Sequence, residues 1–179
     1  MPSFDRIGAE TVYGGRIFDV VKARFRHADG DEVERDTVEH GGAVGIVVHD
    51  DEDLWLVRQP REAIMRDDVL EIPAGRLDVQ GEAPEDAAKR ELAEELGLAA
   101  DAWSHMTTYY TSAGFTNEEV HVYLATGLRQ VEQPETDEDE RIEVVRWPLS
   151  DLDGAIDACV DAKTLIGLLL LRRMHPARP

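Results

Sequence analysis

Apolar positions are scattered among polar ones through the first forty residues, and continuous apolar runs follow them. Residues 11–38 carry brief apolar stretches separated by Gly14-Gly15, with turn-forming residues at 28–31. This punctuation predicts short strands in a small antiparallel sheet. The run Ala43–His49 (AVGIVVH), an acidic turn, and the run 54–58 (LWLVR) together predict a central hairpin.

Helix signals occur near the middle of the chain and again at its end. Pro84 in a first turn, the acidic residues that follow it, and Gly97 just beyond the last turn predict a helix over Pro84–Leu96. The order of elements predicts a mixed α/β protein with helices flanking a sheet. Its later elements are predicted as strands at 106–110, 120–125 and 142–147 and one long helix over about 152–174.

Length and cysteine content narrow the class of protein. With 179 residues the chain is long enough for one domain and needs no disulfide bonds for stability. A single cysteine excludes a disulfide framework and a multi-cysteine zinc site, so we expect a reducing compartment, the cytoplasm. The longest apolar run, 168–171, is far shorter than the roughly 20 residues that cross a bilayer, so no membrane association is expected.

The net charge of the chain limits the kinds of molecule that it can bind. Asp and Glu total 38 against 19 Lys and Arg, which gives a formal net charge of −19. Such a protein repels the phosphate backbone, so nucleic acid is not an expected partner. A phosphorylated small molecule would need local neutralisation by a divalent metal or by a few well-placed arginines.

An acidic cluster in the predicted middle helix is the first sign of chemistry. Glu91, Glu94 and Glu95 are spaced three and four residues apart and lie near one helical face. Like charges at that spacing destabilise a helix, so the cluster either faces solvent or holds a hard cation. For an isolated acidic helix solvent is the better interpretation. The residues that flank this cluster favour the cation instead.

Residues 75–82 and 90–98 resemble the Nudix box. That pattern is Gly, five residues, Glu, seven residues, and Arg-Glu-aliphatic-x-Glu-Glu-x-Gly-aliphatic, and every specified residue type is present. Six residues rather than five separate Gly75 from Glu82, which places a one-residue insertion in the loop before the helix. Because the spacing from Glu82 to Leu98 is intact, we interpret the insertion as loop variation rather than loss of activity.

The resemblance implies a fold and a metal site. The fold is an α/β/α sandwich with a small N-terminal antiparallel sheet, and the activity is Mg²⁺- or Mn²⁺-dependent hydrolysis of a nucleoside diphosphate linked to another group. Arg90 and Glu82 would orient the ligand carboxylates, and Glu94 would be either a ligand or a water-holder. Oxygen ligands on one face suit Mg²⁺, which shares its sites with phosphates. The implied metal ligands are Ala74 (through its carbonyl), Glu91, Glu94 and Glu95.

Motifs outside the box are similar to those of ADP-ribose pyrophosphatases over roughly residues 11–147. Hydrolysis of this nucleoside diphosphate sugar would give AMP and ribose 5-phosphate. Ala113 stands where this branch commonly has a proline, so another nucleoside diphosphate sugar, such as GDP-mannose, stays open. The motifs are 15–18 (GRIF), 57–61 (VRQPR), 71–75 (EIPAG), 112–118 (SAGFTNE) and 137–140 (DEDE).

The same resemblance assigns substrate contacts and a subunit arrangement. Arg61 and Ile17 would sandwich the adenine, with Ile17 and Arg16 supplied by the partner subunit of a homodimer with exchanged N-terminal sheets; guanidinium groups stack on rings and also bind phosphate. Residues 1–40 would form the sheet for dimerisation and adenine binding, and residues 41–179 the Nudix hydrolase domain. The implied substrate-binding residues are Arg16, Ile17, Arg58, Arg61, Gly75 and Glu118.

A general base is expected on the acidic loop before the strand predicted at 142–147. Glu138 ranks first as the base, and Glu140 is an additional metal ligand or the alternative base. An acidic run is usually a solvated loop, so only the resemblance supports this role. A Nudix-fold sensor that binds ADP-ribose without hydrolysis is the alternative from another class. The complete set of box residues favours an enzyme.

Overall fold

The structure is a computed structural model that describes residues 3–134 and 141–175. The chain forms two compact units. Unit 1 comprises Met1–Gly42 and Tyr109–Glu119, and unit 2 comprises Ala43–Thr108 and Val120–Pro179. Residues 109–119 therefore join the N-terminal segment in unit 1, although residues 43–108 separate them in sequence.

Unit 1 is built on a three-stranded antiparallel sheet. Its strands are β1 (Phe4–Gly14), β2 (Phe18–His27) and β3 (Glu32–His40), in that spatial order. Gly30, at φ +92°, closes the turn between β2 and β3, as the turn-forming residues predict. Val38 of β3 donates its N–H to the Phe115 carbonyl at 2.7 Å, which fixes the 109–119 segment to the sheet. The small sheet is confirmed, but its first strand begins at Phe4 rather than near residue 11.

Unit 2 contains a mixed seven-stranded sheet with the path β10-β5-β4-β9-β8, to which β6 adds on β5 and β7 on β4. The predicted hairpin of β4 and β5 is present, with Val48 opposite Trp55. In contrast, β4 and β9 run parallel, with Ala43 opposite Val120. The last two residues of β8 and the first of β9 fall in unit 1. The strands are β4 (Ala43–His49), β5 (Asp53–Arg61), β6 (Arg66–Glu71), β7 (Ala74–Arg76), β8 (Leu98–Tyr110), β9 (Glu119–Gln130) and β10 (Glu143–Pro148).

Helices cover both faces of this sheet. Helix α1 (Pro84–Leu96) packs against one face of β4, where alternate residues of the strand share one buried cluster with Ala87, Ala88 and Leu92. The opposite face of β4 is covered by the C-terminal helix, whose Gly167 backbone lies so close that an added Cβ would be 2.8 Å from Val47 Cγ2. The α/β/α sandwich is therefore confirmed.

Helix α1 has the predicted bounds, but the C-terminal helix does not. Gly97 ends α1 in the left-handed conformation at φ 63°. The single helix predicted over 152–174 is wrong, because the chain forms α2 (Leu152–Ala158) and α3 (Ala162–Met174) with a break between them. Asp161 starts α3 by accepting a hydrogen bond from the Thr164 N–H at 3.0 Å. Cys159 consequently lies in extended backbone at the break rather than inside a helix.

Four strands differ from the predictions. Strands β6 and β7 were not predicted, because β6 begins with charged residues and β7 has only three residues. Strand β8 begins at Leu98, eight residues before the predicted start at 106, and β9 continues to Gln130 rather than ending at 125. Within residues 3–134 and 141–175, no helix has the length and apolar character needed to span a membrane.

Candidate active site

Arg90 on α1 gathers three carboxylates around one guanidinium group. Its NH1 donates to Glu91 Oε1 at 2.7 Å and to Glu94 Oε2 at 2.9 Å. Its Nε and NH2 donate to the two oxygens of Glu82, both at 3.2 Å. The hydrogen bond to Glu82 and the charges of Glu91 and Glu94 outweigh burial and raise the pKa of Arg90. Two of the three like charges predicted on this helix face, Glu91 and Glu94, are thus held by one cation.

Glu95 lies on the side of α1 that faces β7. It is buried, with 5% of its surface exposed, and its Oε2 accepts the Ala74 N–H at 3.2 Å. Gly75, next in β7, is held equally close, because a Cβ there would overlap the Glu91 carboxylate. Glycine is therefore required at position 75 by the close approach of α1, and the packing brings Ala74 beside Glu91 and Glu95.

The one-residue insertion before α1 is absorbed in a tight turn. Glu82 donates its N–H to the Val79 carbonyl at 3.1 Å, and Gly81 adopts φ +82° within the turn. Because the turn closes ahead of Glu82, the carboxylate of Glu82 still reaches both edges of Arg90. The extra residue leaves the catalytic spacing of the helix intact.

A second charged cluster, centred on Glu71, was not predicted from the sequence as part of the site. Glu71 ends β6 and is almost fully buried, yet it accepts Arg61 Nε at 2.6 Å and Arg61 NH2 at 2.7 Å. Lys163 of α3 binds the same carboxylate. The available signal was an acidic residue inside the apolar run VLEI, since a buried carboxylate requires a partner.

The Glu71 cluster continues into the first turn of α3. Asp161 lies 3.1 Å from Lys163 Nζ. Burial works to raise the pKa of Asp161, but Lys163 and the hydrogen bonds from Thr164 prevail and lower it. The pKa of Arg61 is raised, first by its hydrogen bond to Glu71, against burial, and further by the charges of Glu71, Asp161 and Glu95. Arg61 is therefore close enough to Glu95 to be affected by its charge.

The remaining predicted site residues occupy both units. In unit 2, Arg58 is half-buried in β5, opposite Leu70 of β6. In unit 1, Arg16 and Ile17 are exposed between β1 and β2. Glu118, also in unit 1, accepts a hydrogen bond from Thr111 Oγ1 at 2.8 Å. Glu138 and Glu140 lie outside the described residues.

The donor atoms around α1 suit a hard divalent cation. Carboxylate and carbonyl oxygens of Glu91, Glu94, Glu95 and Ala74 are the ligand types that Mg²⁺ and Mn²⁺ prefer. Among residues 3–134 and 141–175, however, no three acidic, histidine or cysteine side chains already converge as a metal site. Glu91 and Glu94 instead share NH1 of Arg90. The residues therefore fit such an ion by the chemistry of their donor atoms.

Comparison with known proteins decides the family. The NUDIX domain model matches residues 39–164, a segment that contains both charged clusters. The chain belongs to the Nudix family. The resemblance drawn from the box is thereby confirmed, and the chain is an enzyme of the Nudix hydrolase type.

Individual relatives of this Nudix hydrolase extend over most of its length. It is 43% identical over 145 residues to a protein named ADP-ribose pyrophosphatase from Mycobacterium tuberculosis (strain ATCC 25618 / H37Rv), covering 80% of this chain and 70% of the relative. It is 37% identical over 170 residues to a protein of the same name from Bacillus subtilis (strain 168), covering 93% and 91%.

Two further similarities concern activity and fold. A Bacillus methanolicus protein named methanol dehydrogenase activator is 31% identical over 170 residues, covering 93% of this Nudix hydrolase and 91% of that protein. A solved structure described as an ADP compounds hydrolase superimposes with a TM-score of 0.81 at 26% identity, covering 97% of this chain and 93% of that one.

Proposed function

We propose that this Nudix hydrolase cleaves the pyrophosphate bond of ADP-ribose with water and releases AMP and ribose 5-phosphate. The observation that carries the proposal is the intact Arg90 cluster, in which Glu82, Glu91 and Glu94 all engage one guanidinium group. The relatives named ADP-ribose pyrophosphatase support the choice of substrate.

Mg²⁺ or Mn²⁺ is the proposed cofactor. Glu91, Glu94, Glu95 and the Ala74 carbonyl would hold it, and when bound it would neutralise charge on the pyrophosphate oxygens. The protein's own groups prepare this arrangement. Arg90 keeps Glu91 and Glu94 together on one side of α1, and the Ala74 N–H fixes the buried Glu95.

Six residues are proposed to bind the substrate. In unit 2, Arg61 would stack on the adenine and Arg58 would bind phosphate, since guanidinium groups perform both tasks. The Gly75 backbone would line the site. Glu118 is also proposed to bind substrate, and Arg16 and Ile17 would be supplied by the partner subunit of a homodimer.

The acidic loop is proposed to supply the general base. Glu138 would accept the proton of the water that attacks phosphorus while the bridging P–O bond breaks, with Glu140 as the alternative base or an additional metal ligand. The water oxygen forms the new P–O bond, and the phosphate on the other side of the broken bond leaves. One water is thus consumed for each ADP-ribose.

Hydrolysis of a substrate panel tests the proposal. ADP-ribose, GDP-mannose, UDP-glucose and NADH are compared by kcat/KM with Mg²⁺ and with Mn²⁺, and products are separated by chromatography. We expect the highest kcat/KM for ADP-ribose, with AMP as the nucleotide product. A higher value for GDP-mannose would keep the Nudix chemistry and reject the substrate. Tight ADP-ribose binding without turnover would instead support a sensor, a role that the relative named methanol dehydrogenase activator makes worth including.

A further inference from the structure

The Glu71 cluster is arranged as a graded series from the interior to the surface of unit 2. Side-chain exposure is 1% for Glu71, 14% for Lys163 and 42% for Arg61. A buried carboxylate is costly unless its charge is fully compensated. Here two cations compensate it, and the more exposed of them, Arg61, extends toward solvent.

The contacts leave the outward part of Arg61 available. Glu71 takes the Nε and NH2 groups at 2.6 and 2.7 Å, which is the bidentate geometry that fixes the plane of a guanidinium group. Its NH1 group and both faces of the plane are not used by Glu71. These are the parts of an arginine that bind phosphate and stack on a base.

The orientation of Glu71 is in turn set by the first turn of α3. Lys163 binds the Oε2 atom that also accepts Arg61 NH2. The next residue, Thr164, is fully buried and accepts the Ile72 N–H at 2.9 Å, while its own hydroxyl donates to Asp161. Side chain and backbone of residues 71–72 are therefore both fixed by α3, 92 residues further along the chain.

From this arrangement we propose that Glu71 and Lys163 are positioning residues that hold the Arg61 guanidinium for the substrate. Lys163 fixes the carboxylate, the carboxylate fixes the plane of Arg61, and Arg61 touches the nucleotide. The substrate part of this inference rests on the proposed function. Without Lys163 the carboxylate is free to rotate, and the two hydrogen bonds that fix the plane of Arg61 are weakened.

Steady-state kinetics with a matched lysine control tests the role of Lys163. We expect Lys163→Met to raise KM for ADP-ribose about tenfold with kcat within about twofold, because a misoriented arginine loses substrate affinity before it affects bond cleavage. Lys89→Met removes the same charge from an exposed surface pair with Glu85 and should leave both constants unchanged. Lys163→Arg restores the cation and should recover most of the affinity. An unchanged KM in Lys163→Met would overturn the proposal.

A double-mutant comparison separates positioning from a general structural role. If Lys163 acts through Arg61, adding Lys163→Met to Arg61→Ala should raise KM no further, because the group being positioned is already absent. Glu71→Gln should raise KM in the wild-type background and likewise add nothing to Arg61→Ala. Fully additive increases in KM would contradict action through Arg61.

Arginine side-chain NMR provides a readout that needs no substrate. The Arg61 Nε–H signal should exchange slowly with water in the wild type and in Lys89→Met, and at least about tenfold faster in Lys163→Met, because the hydrogen bond to Glu71 protects it. Equal exchange rates would reject the positioning role even if ADP-ribose is the substrate. Another outcome is that the enzyme leaves ADP-ribose intact and still shows slow exchange in the wild type and fast exchange in Lys163→Met. That result would reject the proposed substrate and keep the positioning role.

Discussion

At the residue scale, Glu95 shows how burial and chemistry are combined at the candidate site. Its carboxylate is 5% exposed, and its Oε2 accepts the Ala74 N–H at 3.2 Å. A carboxylate oxygen is the ligand type that Mg²⁺ and Mn²⁺ prefer, and this one lies beside the Ala74 backbone. Glu85, near the start of the same helix, is exposed and paired with Lys89, and provides a natural comparison.

Glu95→Gln tests the metal role at this position. We expect the variant to fold, because the amide oxygen still accepts the Ala74 N–H, and to lose about 100-fold or more in kcat/KM because a charged ligand is removed. Mn²⁺ affinity, measured by titration calorimetry, should fall in parallel. Glu85→Gln on the same helix should leave both quantities at wild-type values. Full activity in Glu95→Gln would remove it from the metal site.

The two charged clusters differ in how far sequence could reveal them. Arg90 and Glu94 lie four residues apart on a helix, so their contact follows from spacing alone. The contact of Glu71 with Lys163 joins residues 92 positions apart, and no local pattern links them. The sequence showed only that Glu71 needs a partner, while the packing of α3 against the sheet decides which residue supplies it.

At the element scale, α1 is predictable from local sequence signals, whereas the division of the C-terminal helices is not. Proline at the start and glycine at the end are local signals, and α1 begins and ends where they predict. The break before α3 depends on Asp161 capping the helix through Thr164, a weaker signal that the apolar periodicity on both sides conceals. The break brings Lys163 and Thr164 to the start of a helix, where both reach residues 71–72.

The turn between β4 and β5 depends on one carboxylate. Asp50 accepts the N–H groups of Glu52 and Asp53 at 2.9 and 2.8 Å and the indole N–H of Trp55 at 3.1 Å. The backbone hydrogen bonds from Asp53 and Glu52 lower the pKa of Asp50 below its usual 3.8. Because the folded pKa is below the unfolded one, this stabilisation is present above about pH 4 and is lost as pH falls through the folded pKa.

Asp50→Asn is therefore expected to destabilise the protein in a pH-dependent way. At pH 7 its midpoint of thermal unfolding should be about 2–4 °C below that of the wild type, since charge-assisted hydrogen bonds are weakened. The difference should shrink as pH falls below about 4, because the wild type then loses the same charge. Asp51→Asn, at an exposed position beside it, is the control. A difference independent of pH would contradict the role of the charge.

At the scale of the whole molecule, the exposed apolar side chains of unit 1 bear on assembly. Single exposed apolar residues are normal on protein surfaces, whereas a group of them marks an interaction site. Val12, Tyr13, Ile17 and Phe18 are all exposed around the turn between β1 and β2, and the rings of Tyr13 and Phe18 are 6.5 Å apart. This group supports the proposed homodimer through unit 1.

Light scattering after size-exclusion chromatography measures the assembly directly. We expect a mass twice that of the 20.0 kDa chain, and the mass of one chain for Ile17→Glu, because a buried charge opposes the apolar contact. Leu169→Glu places the same charge at an equally exposed position on α3 and should leave the dimer intact. A wild-type mass of one chain would reject the homodimer.

The parallel pairing of β4 with β9 has a consequence for synthesis. Ala43 of β4 lies opposite Val120 of β9. The parallel partner of this central strand is therefore translated 77 residues later. The residues of the β4–β5 hairpin and of α1 are synthesised before β9. Until β9 follows, the edge of Val44–Val48 that pairs with it has no neighbouring strand. An open apolar edge on a nascent chain invites pairing with other chains. We therefore expect a greater supply of chaperones during expression to raise the soluble yield of this enzyme.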